Sequence, residues 1–474
     1  MSLNPTSTNT AARLLILLLS FVAAVGVGAS PSLVPESEIR EAAGKALPLL
    51  ENSTAFALKQ RACFTCHHGS FPLNTFNAAW KLGFKIKKDN LERQLDRILE
   101  RLAANLERYE TDPTAHGDVN GEVDAVGHSL WVLDKSGYVG SRLSERTVDI
   151  LLDQQSEAGF WEPSLNRPPT VGSAFTSTFV ALRAINRYAS DSQRPNIQER
   201  NARALKWLKA TAPYDTEDGV YRLRALHLLE KGGDAFKAQA KALLDSQNED
   251  GGWTQVADWR RDAYATGTAL ATLHDTGVIV TDNPAYQAGI RYLLKTQDRQ
   301  GVWHVGSRTR AVQPFFGSGF PYERDQFISI SGTAWAAYAL LVALPEGDSQ
   351  SKPDFLSVHS GLLTKSYGRR APVTEEQTRF FNEKIQPILA DKCFKCHSAK
   401  SKKLKADLYL DSAMGLRAGG ENGPTLVRGK ADESLLIQAL LGKDLSLMPP
   451  KHPLSDEVIQ NFKDWISAGA PDPR

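Results

Sequence analysis

One heptapeptide constrains this chain more than any other stretch, because it recurs. Gln247-Asn248-Glu249-Asp250-Gly251-Gly252-Trp253 closes one helical pattern (Ala238 to Gln247) and precedes another (Tyr264 to Leu273). Gln297-Asp298-Arg299-Gln300-Gly301-Val302-Trp303 and Gln155-Ser156-Glu157-Ala158-Gly159-Phe160-Trp161 are further copies. The spacing defines a unit of roughly 45–50 residues, with one degenerate copy between those at 155 and 247. That copy is placed at Trp207–Val220, where Asp218-Gly219 survives and the Gln does not. Physically, the Gly ends a helix and allows a tight turn, the Trp covers a helix end, and the Gln satisfies loose backbone groups there.

The segments after these loops are rich in small residues: Gly172-Ser173-Ala174, Tyr264-Ala265-Thr266-Gly267 and Ile330-Ser331-Gly332-Thr333-Ala334. Ala125-Val126-Gly127-His128-Ser129 reads the same way. Small residues let helices approach closely, which suits an inner layer. Leu95, Ile98, Leu102 and Leu106 fall on one helical face and mark an amphipathic outer partner. Inner helices near Asn74, Val126, Thr176, Val220, Thr266 and Thr333 make about six hairpins, which can close into a double ring. The expected fold is therefore all-α: an α/α toroid rather than an open solenoid. Pro48 is expected to kink or end the first helix, which carries Ile39, Ala42, Ala43, Ala46 and Leu47.

Two motifs carry chemistry. Cys63-Phe64-Thr65-Cys66-His67 and Cys393-Phe394-Lys395-Cys396-His397 both read C-x-x-C-H, the attachment sequence of a c-type haem, and together use all four cysteines. Two thiols become thioethers and the following His supplies nitrogen to iron. Two covalently bound haem c groups are expected, with His67 on the first iron and His397 on the second. Export is expected as well. Arg13 precedes an apolar run, Leu14 to Ala29, ending in small residues before Ser30-Pro31, which reads as a signal peptide over 1–29. The expected location is periplasmic or secreted, without a membrane span after signal removal. The net charge of +2 gives no case for nucleic acid.

The toroid is expected over 30–345, with the first haem motif in place of the first repeat's loop and so at the rim. The loop His304–Phe327, with Phe315-Phe316-Gly317-Ser318-Gly319-Phe320, reads as a lid or as a cover for that haem. A polar linker spans 346–373. A final domain, 374–474, starts with the capping box Thr374-Glu375-Glu376-Gln377, presents Phe380, Phe381, Ile385 and Leu389, and runs into the second motif. It closes on Val458, Ile459, Phe462, Trp465 and Ile466. Helix, C-x-x-C-H, irregular middle and closing helix is the plan of a small cytochrome c.

Two resemblances attach to these residues. The Q-x-x-D-G-x-W loops over 36–345 resemble the repeats of squalene cyclases and protein prenyltransferases. Gln247, Asp250, Gly251 and Trp253 match fully, while Ala158 and Gln300 replace the Asp elsewhere. The resemblance implies a toroid with a central apolar cavity. It does not carry the chemistry, because neither a D-x-D-D run nor a spare zinc-binding Cys is present. Residues 374–474 resemble the cytochrome c domain of planctomycete secreted proteins, through Ile388-Leu389-Ala390-Asp391-Lys392-Cys393, Leu408-Tyr409-Leu410-Asp411, Gly419-Gly420, Gly423-Pro424, Met448-Pro449-Pro450-Lys451 and Ala468-Gly469-Ala470-Pro471. The resemblance implies that Met448 is the distal ligand of the second iron, and a thioether on a stiff Met-Pro-Pro turn suits that role. For the first iron the candidate distal ligands are His116, His128 and His304, with His128 favoured. Electron transfer to a redox partner protein is the expected function. A haem-dependent oxidoreductase or peroxidase acting on an apolar small molecule in the toroid, and a ligand- or partner-binding redox sensor, are the alternatives.

Overall fold

The computed structural model describes residues 32–60, 66–111, 123–163, 165–309, 317–345, 355, 373–406, 408–420, 422, 425–427, 429–443 and 445–474. The signal segment, Cys63, His116, Phe315, Phe316 and nearly all of 346–373 lie outside them.

Twelve helices alternate between two layers: α1 (Glu36–Gln60), α2 (Phe71–Lys81), α3 (Lys88–Thr111), α4 (Val123–Lys135), α5 (Arg142–Asp153), α6 (Ala174–Tyr188), α7 (Arg194–Ala210), α8 (Thr216–Glu230), α9 (Asp234–Asp245), α10 (Ala263–Asp275), α11 (Pro284–Thr296) and α12 (Gln326–Val342). The even-numbered helices each touch the next in sequence, and α12 returns to α2. That return contact closes the ring, so the fold is an α/α toroid of six hairpins. All six expected inner positions fall on these even helices. The odd helices form the outer layer, and α3 turns Leu95, Ile98 and Leu102 into the core.

The repeated loop is a hydrogen-bond device. Each Gln carboxamide donates to the carbonyl of its own loop's Gly and to a carbonyl of the next outer helix. Gln155 donates to Gly159 (2.7 Å) and Arg200 (3.0 Å). Gln247 donates to Gly251 (2.9 Å) and Ala285 (2.8 Å). Gln297 donates to Gly301 (2.8 Å) and, across the seam of the ring, to Ala42 in α1 (2.8 Å). The indoles of Trp161, Trp253 and Trp303 are buried, and each donates to the carbonyl ten residues back, at Leu151, Leu243 and Leu293. Their amides donate to Thr178, Thr266 and Thr333 of the inner helices. Gly251 has φ +90°, and a Cβ there would lie 2.3 Å from the Ala288 carbonyl oxygen, so both conformation and space demand glycine.

Small inner residues act as expected. A Cβ on Gly267 would lie 2.6 Å from the backbone of α12.

Two local expectations fail. Pro48 neither ends nor breaks α1, which runs through it for 25 residues. Ala42, Ala43, Ala46, Leu47 and Leu50 are buried along this helix, and their packing outweighs one lost backbone bond. Asp218-Gly219 is not a loop remnant either. It lies in the first turn of α8, and the link from α7 is only residues 211–215. Asp218 instead accepts from Ser173 Oγ (2.6 Å) and the Tyr214 amide (2.9 Å).

A second, smaller core follows. The capping box forms: Thr374 Oγ1 accepts from the Gln377 amide (3.2 Å), and Gln377 Oε1 accepts from the Thr374 amide (3.0 Å). It starts α13 (Glu375–Phe380), which continues through a π turn, Phe381–Ile385, a short α turn, Gln386–Ile388, and a second π turn, Leu389–Cys393. Then come α14 (Ala413–Ala418), α15 (Leu435–Leu441) and α16 (Asp456–Ser467). Phe381, Ile385, Leu389, Leu416, Phe462, Trp465 and Ile466 fill this core. Between the cores, Phe355 is buried and meets Trp80 of α2 edge-on at 5.3 Å, so the expected linker touches the ring at that residue.

Candidate functional site: two haem motifs

The C-terminal motif hangs from the second π turn, which ends at Cys393. The Cys396 and His397 amides both donate to the Cys393 carbonyl (3.1 and 3.0 Å), gathering the two sulfurs and the imidazole on one turn. Cys393 is half-buried and Cys396 exposed, and both thiols are free. Burial pushes the Cys393 thiol up to about 11. His397 Nδ1 lies 3.1 Å from the Lys405 carbonyl oxygen. A carbonyl only accepts, so Nδ1 carries the proton toward Lys405, and the Leu408 backbone also bonds this ring. This is the tautomer an iron ligand needs, held by its other nitrogen. Lys405 is itself fixed by its amide, which donates to the Cys396 carbonyl (3.0 Å). Met448 is partly exposed, and its amide donates to the Ala439 carbonyl at the end of α15 (2.9 Å). Free paired thiols and a correctly tautomerised imidazole fit haem c.

The N-terminal motif sits differently. Cys63 lies outside the described residues, and the chain resumes at Cys66 in a π turn, Cys66–Ser70, that runs into α2. His67 is buried, and its Nε2 is engaged by Thr170 Oγ1 at 2.8 Å. Its ring meets Phe327 edge-on at 5.2 Å, and Arg167 lies over the same phenyl ring. Burial holds His67 well below the usual imidazole range, with Arg167, His68 and His128 adding to the effect. His67 can reach iron through Nε2 only by giving up Thr170.

The three candidate distal histidines separate. His116 is outside the described residues. His304 is largely exposed and tied through Nε2 to Asp325 (2.9 Å), which does not suit the role. His128 is buried on α4, with Nδ1 3.3 Å from Ser70 Oγ at the end of the motif turn. Its Nε2 has no partner, and burial drives its pKa down to about 3.

Sequence reasoning missed several neighbours. Thr170 and Arg167 come from the α5–α6 loop and carry no local signal. Glu217 was hidden in what read as a degenerate loop. It is buried, accepts from Tyr264 Oη (3.0 Å) and Thr176 Oγ1 (3.3 Å), and is held well above the usual carboxylate range, first by burial and then by Asp215.

Where a central apolar cavity was implied, aromatic rings of the inner helices meet across the ring. Trp131 on α4 lies 6.1 Å from Trp335 on α12 and 6.5 Å from Tyr221 on α8. Phe71 on α2 lies 5.3 Å from Trp335 and 5.4 Å from His128.

The model of the planctomycete cytochrome C family matches residues 393–452, which hold the second motif and Met448. The C-terminal region is a cytochrome c domain. Haem c is therefore the cofactor implied at Cys393 and Cys396. No curated protein matches the chain. Among solved structures, a type II terpene cyclase from Scytonema aligns with 15% identity and a TM-score of 0.43, covering 66% of this chain and all of that one (100%). An unsaturated glucuronyl hydrolase from Streptococcus agalactiae aligns with 14% identity and a TM-score of 0.44, covering 67% and 94%. Among the described residues, no helix is long and apolar enough to cross a membrane.

Proposed function

We propose that the chain is an exported dihaem cytochrome c that moves electrons between the ring and a redox partner protein. The observation that carries this reading is the second motif itself: two free thiols and an imidazole whose Nδ1 proton is donated to Lys405. When bound, haem c supplies a one-electron iron couple. The protein's part is to hold that couple. Cys393 and Cys396 would anchor the group, Lys405 orients His397, and His397 and Met448 would hold its iron. A thioether there raises the potential.

The first motif holds the second haem of this reading. Its Cys66–Ser70 turn opens directly into inner helix α2, and no methionine is assigned to it. Without a methionine the first motif would hold its haem at the lower potential, so electrons would pass from the ring to the C-terminal domain and on to the partner. The signal segment and attachment of c-type haem agree on a periplasmic or secreted location.

The alternative, a haem-dependent oxidoreductase acting on an apolar molecule at the ring, draws on one observation. The buried His128 with an unpartnered Nε2 lies beside the motif turn, where a six-coordinate electron carrier would engage it and an enzyme would leave the iron open. Optical and EPR spectra with carbon monoxide on the reduced protein decide between them. A carbon monoxide complex at haem 1 favours the enzyme, and two six-coordinate irons favour the carrier.

A further inference from the structure

The inner helices carry buried polar atoms that have no hydrogen-bond partner. Trp131 and Trp335 are both 3% exposed, yet neither indole Nε1 has an acceptor. Asn74 is 4% exposed and lacks partners on both carboxamide atoms. It follows Phe71 by one helical turn, on the same face of α2, and Phe71 packs on Trp335. Arg224 is 6% exposed. Its Cζ lies 5.6 Å from the ring centroids of both Trp131 and Trp335. Its Nε donates to Thr272 Oγ1 (2.8 Å) and its Nη1 to Asp275 (3.0 Å), while Nη2 has no acceptor.

Buried donors left without acceptors are destabilising, so these four call for an acceptor. The charge around them has the matching sign. Arg183 and Arg187 both pair with Asp134 and Arg224 with Asp275, and the half-buried Lys135 lies within electrostatic reach of both carboxylates, so four cationic side chains meet two carboxylates. Asp275 is further committed to Tyr338, whose hydroxyl donates to it at 3.2 Å.

We propose that the interior of the ring binds a carboxylate through Arg224 Nη2, the indole N–H groups of Trp131 and Trp335, and Asn74 Nδ2. A carboxylate offers several lone pairs in one plane, enough to accept from more than one of these donors. Asn74 Oδ1 is an acceptor and goes to a water in this arrangement. Two sources share this chemistry: a free small carboxylate, and a propionate of haem 1. The second source rests on the proposed dihaem reading and the first does not.

Sodium formate is the probe, added at constant ionic strength to the purified full-length protein and followed by calorimetric melting and titration. The same titration is run on a Cys63→Ser/Cys66→Ser chain, whose lack of haem 1 is checked by mass. Saturable stabilisation of both proteins establishes a free carboxylate site. Stabilisation of the Cys63→Ser/Cys66→Ser chain alone establishes that a propionate fills the site in the complete protein. In either case Asn74→Leu and Trp335→Phe, which leave the Arg224–Asp275 pair intact, should weaken formate at least tenfold while circular dichroism stays unchanged. No saturable effect in either protein, or equal binding by the Asn74→Leu and Trp335→Phe variants, overturns the proposal and leaves these donors to water. Because haem content is read separately by mass, loss of the dihaem reading would not be mistaken for loss of this site.

Discussion

The two C-x-x-C-H motifs are near copies in sequence and opposites in setting. His397 is half-exposed and donates from Nδ1 to the Lys405 carbonyl. His67 is buried and spends Nε2 on Thr170. One motif is preset for metal by its own backbone. The other must exchange a hydrogen bond supplied by a loop about a hundred residues away. The lesson is that the same five-residue motif does not fix the setting of its histidine, which the surrounding fold decides.

The largest expected effect breaks the comparison outright. Cys393→Ala/Cys396→Ala should remove one haem entirely and leave the ring's haem spectrum in place, and Cys63→Ala/Cys66→Ala should do the reverse. Pyridine haemochrome content measures both. Loss of both haems from either pair would mean that the motifs are not independent.

Next in size, Met448→Ala should lower the higher of two midpoints by a sizeable part of the roughly 0.8 V that axial ligands span, and leave the lower one unmoved. Spectroelectrochemistry reads this directly. A shift in the lower midpoint would reverse the assignment of ligands and the direction of electron flow.

The buried and exposed settings also predict different responses to acid. His128 titrates at about 3 in the folded ring and at about 6.5 unfolded, so the unfolded chain takes up the proton first. Its contribution is fully present above about pH 6.5 and is lost as pH falls toward 3, by about 1.36 kcal/mol for each pH unit inside that window. Denaturant melts of the ring should therefore weaken across the same range, and His128→Leu should flatten the dependence. An unchanged slope in that variant would place the acid sensitivity elsewhere.

The smallest effect concerns ring closure. Gln297 joins the last loop to the first outer helix, so Gln297→Ala removes the one side-chain donor that bonds both the Gly301 carbonyl and, across the seam, the Ala42 carbonyl. A cost of about 1–3 kcal/mol in urea melts is expected. Gln247→Ala, within the ring, should cost a similar amount without changing the m value.

Much of this architecture is legible in the residues. The Q-x-x-D-G-x-W copies locate three of the loops, and the small-residue runs locate four of the six inner helices, because both signals are local and periodic. The degenerate fourth unit is misplaced by the same reading, since Asp218-Gly219 matches the repeat in letters but caps and packs α8. Pro48 misleads because tertiary burial of α1 outweighs a local preference. The contacts of His67 with Thr170, of Glu217 with Tyr264, and of Trp131 with Trp335 are not legible at all. Each joins residues from different hairpins, and such pairings are made by ring closure rather than by any pattern along the chain.

Intact mass after denaturation tests most directly whether two haems are held by two unequal sites. The mature chain should exceed its apo mass by two haems, one released with each pair of cysteine substitutions. A mass carrying one haem, with Cys63 and Cys66 joined as a disulfide, would contradict the dihaem reading.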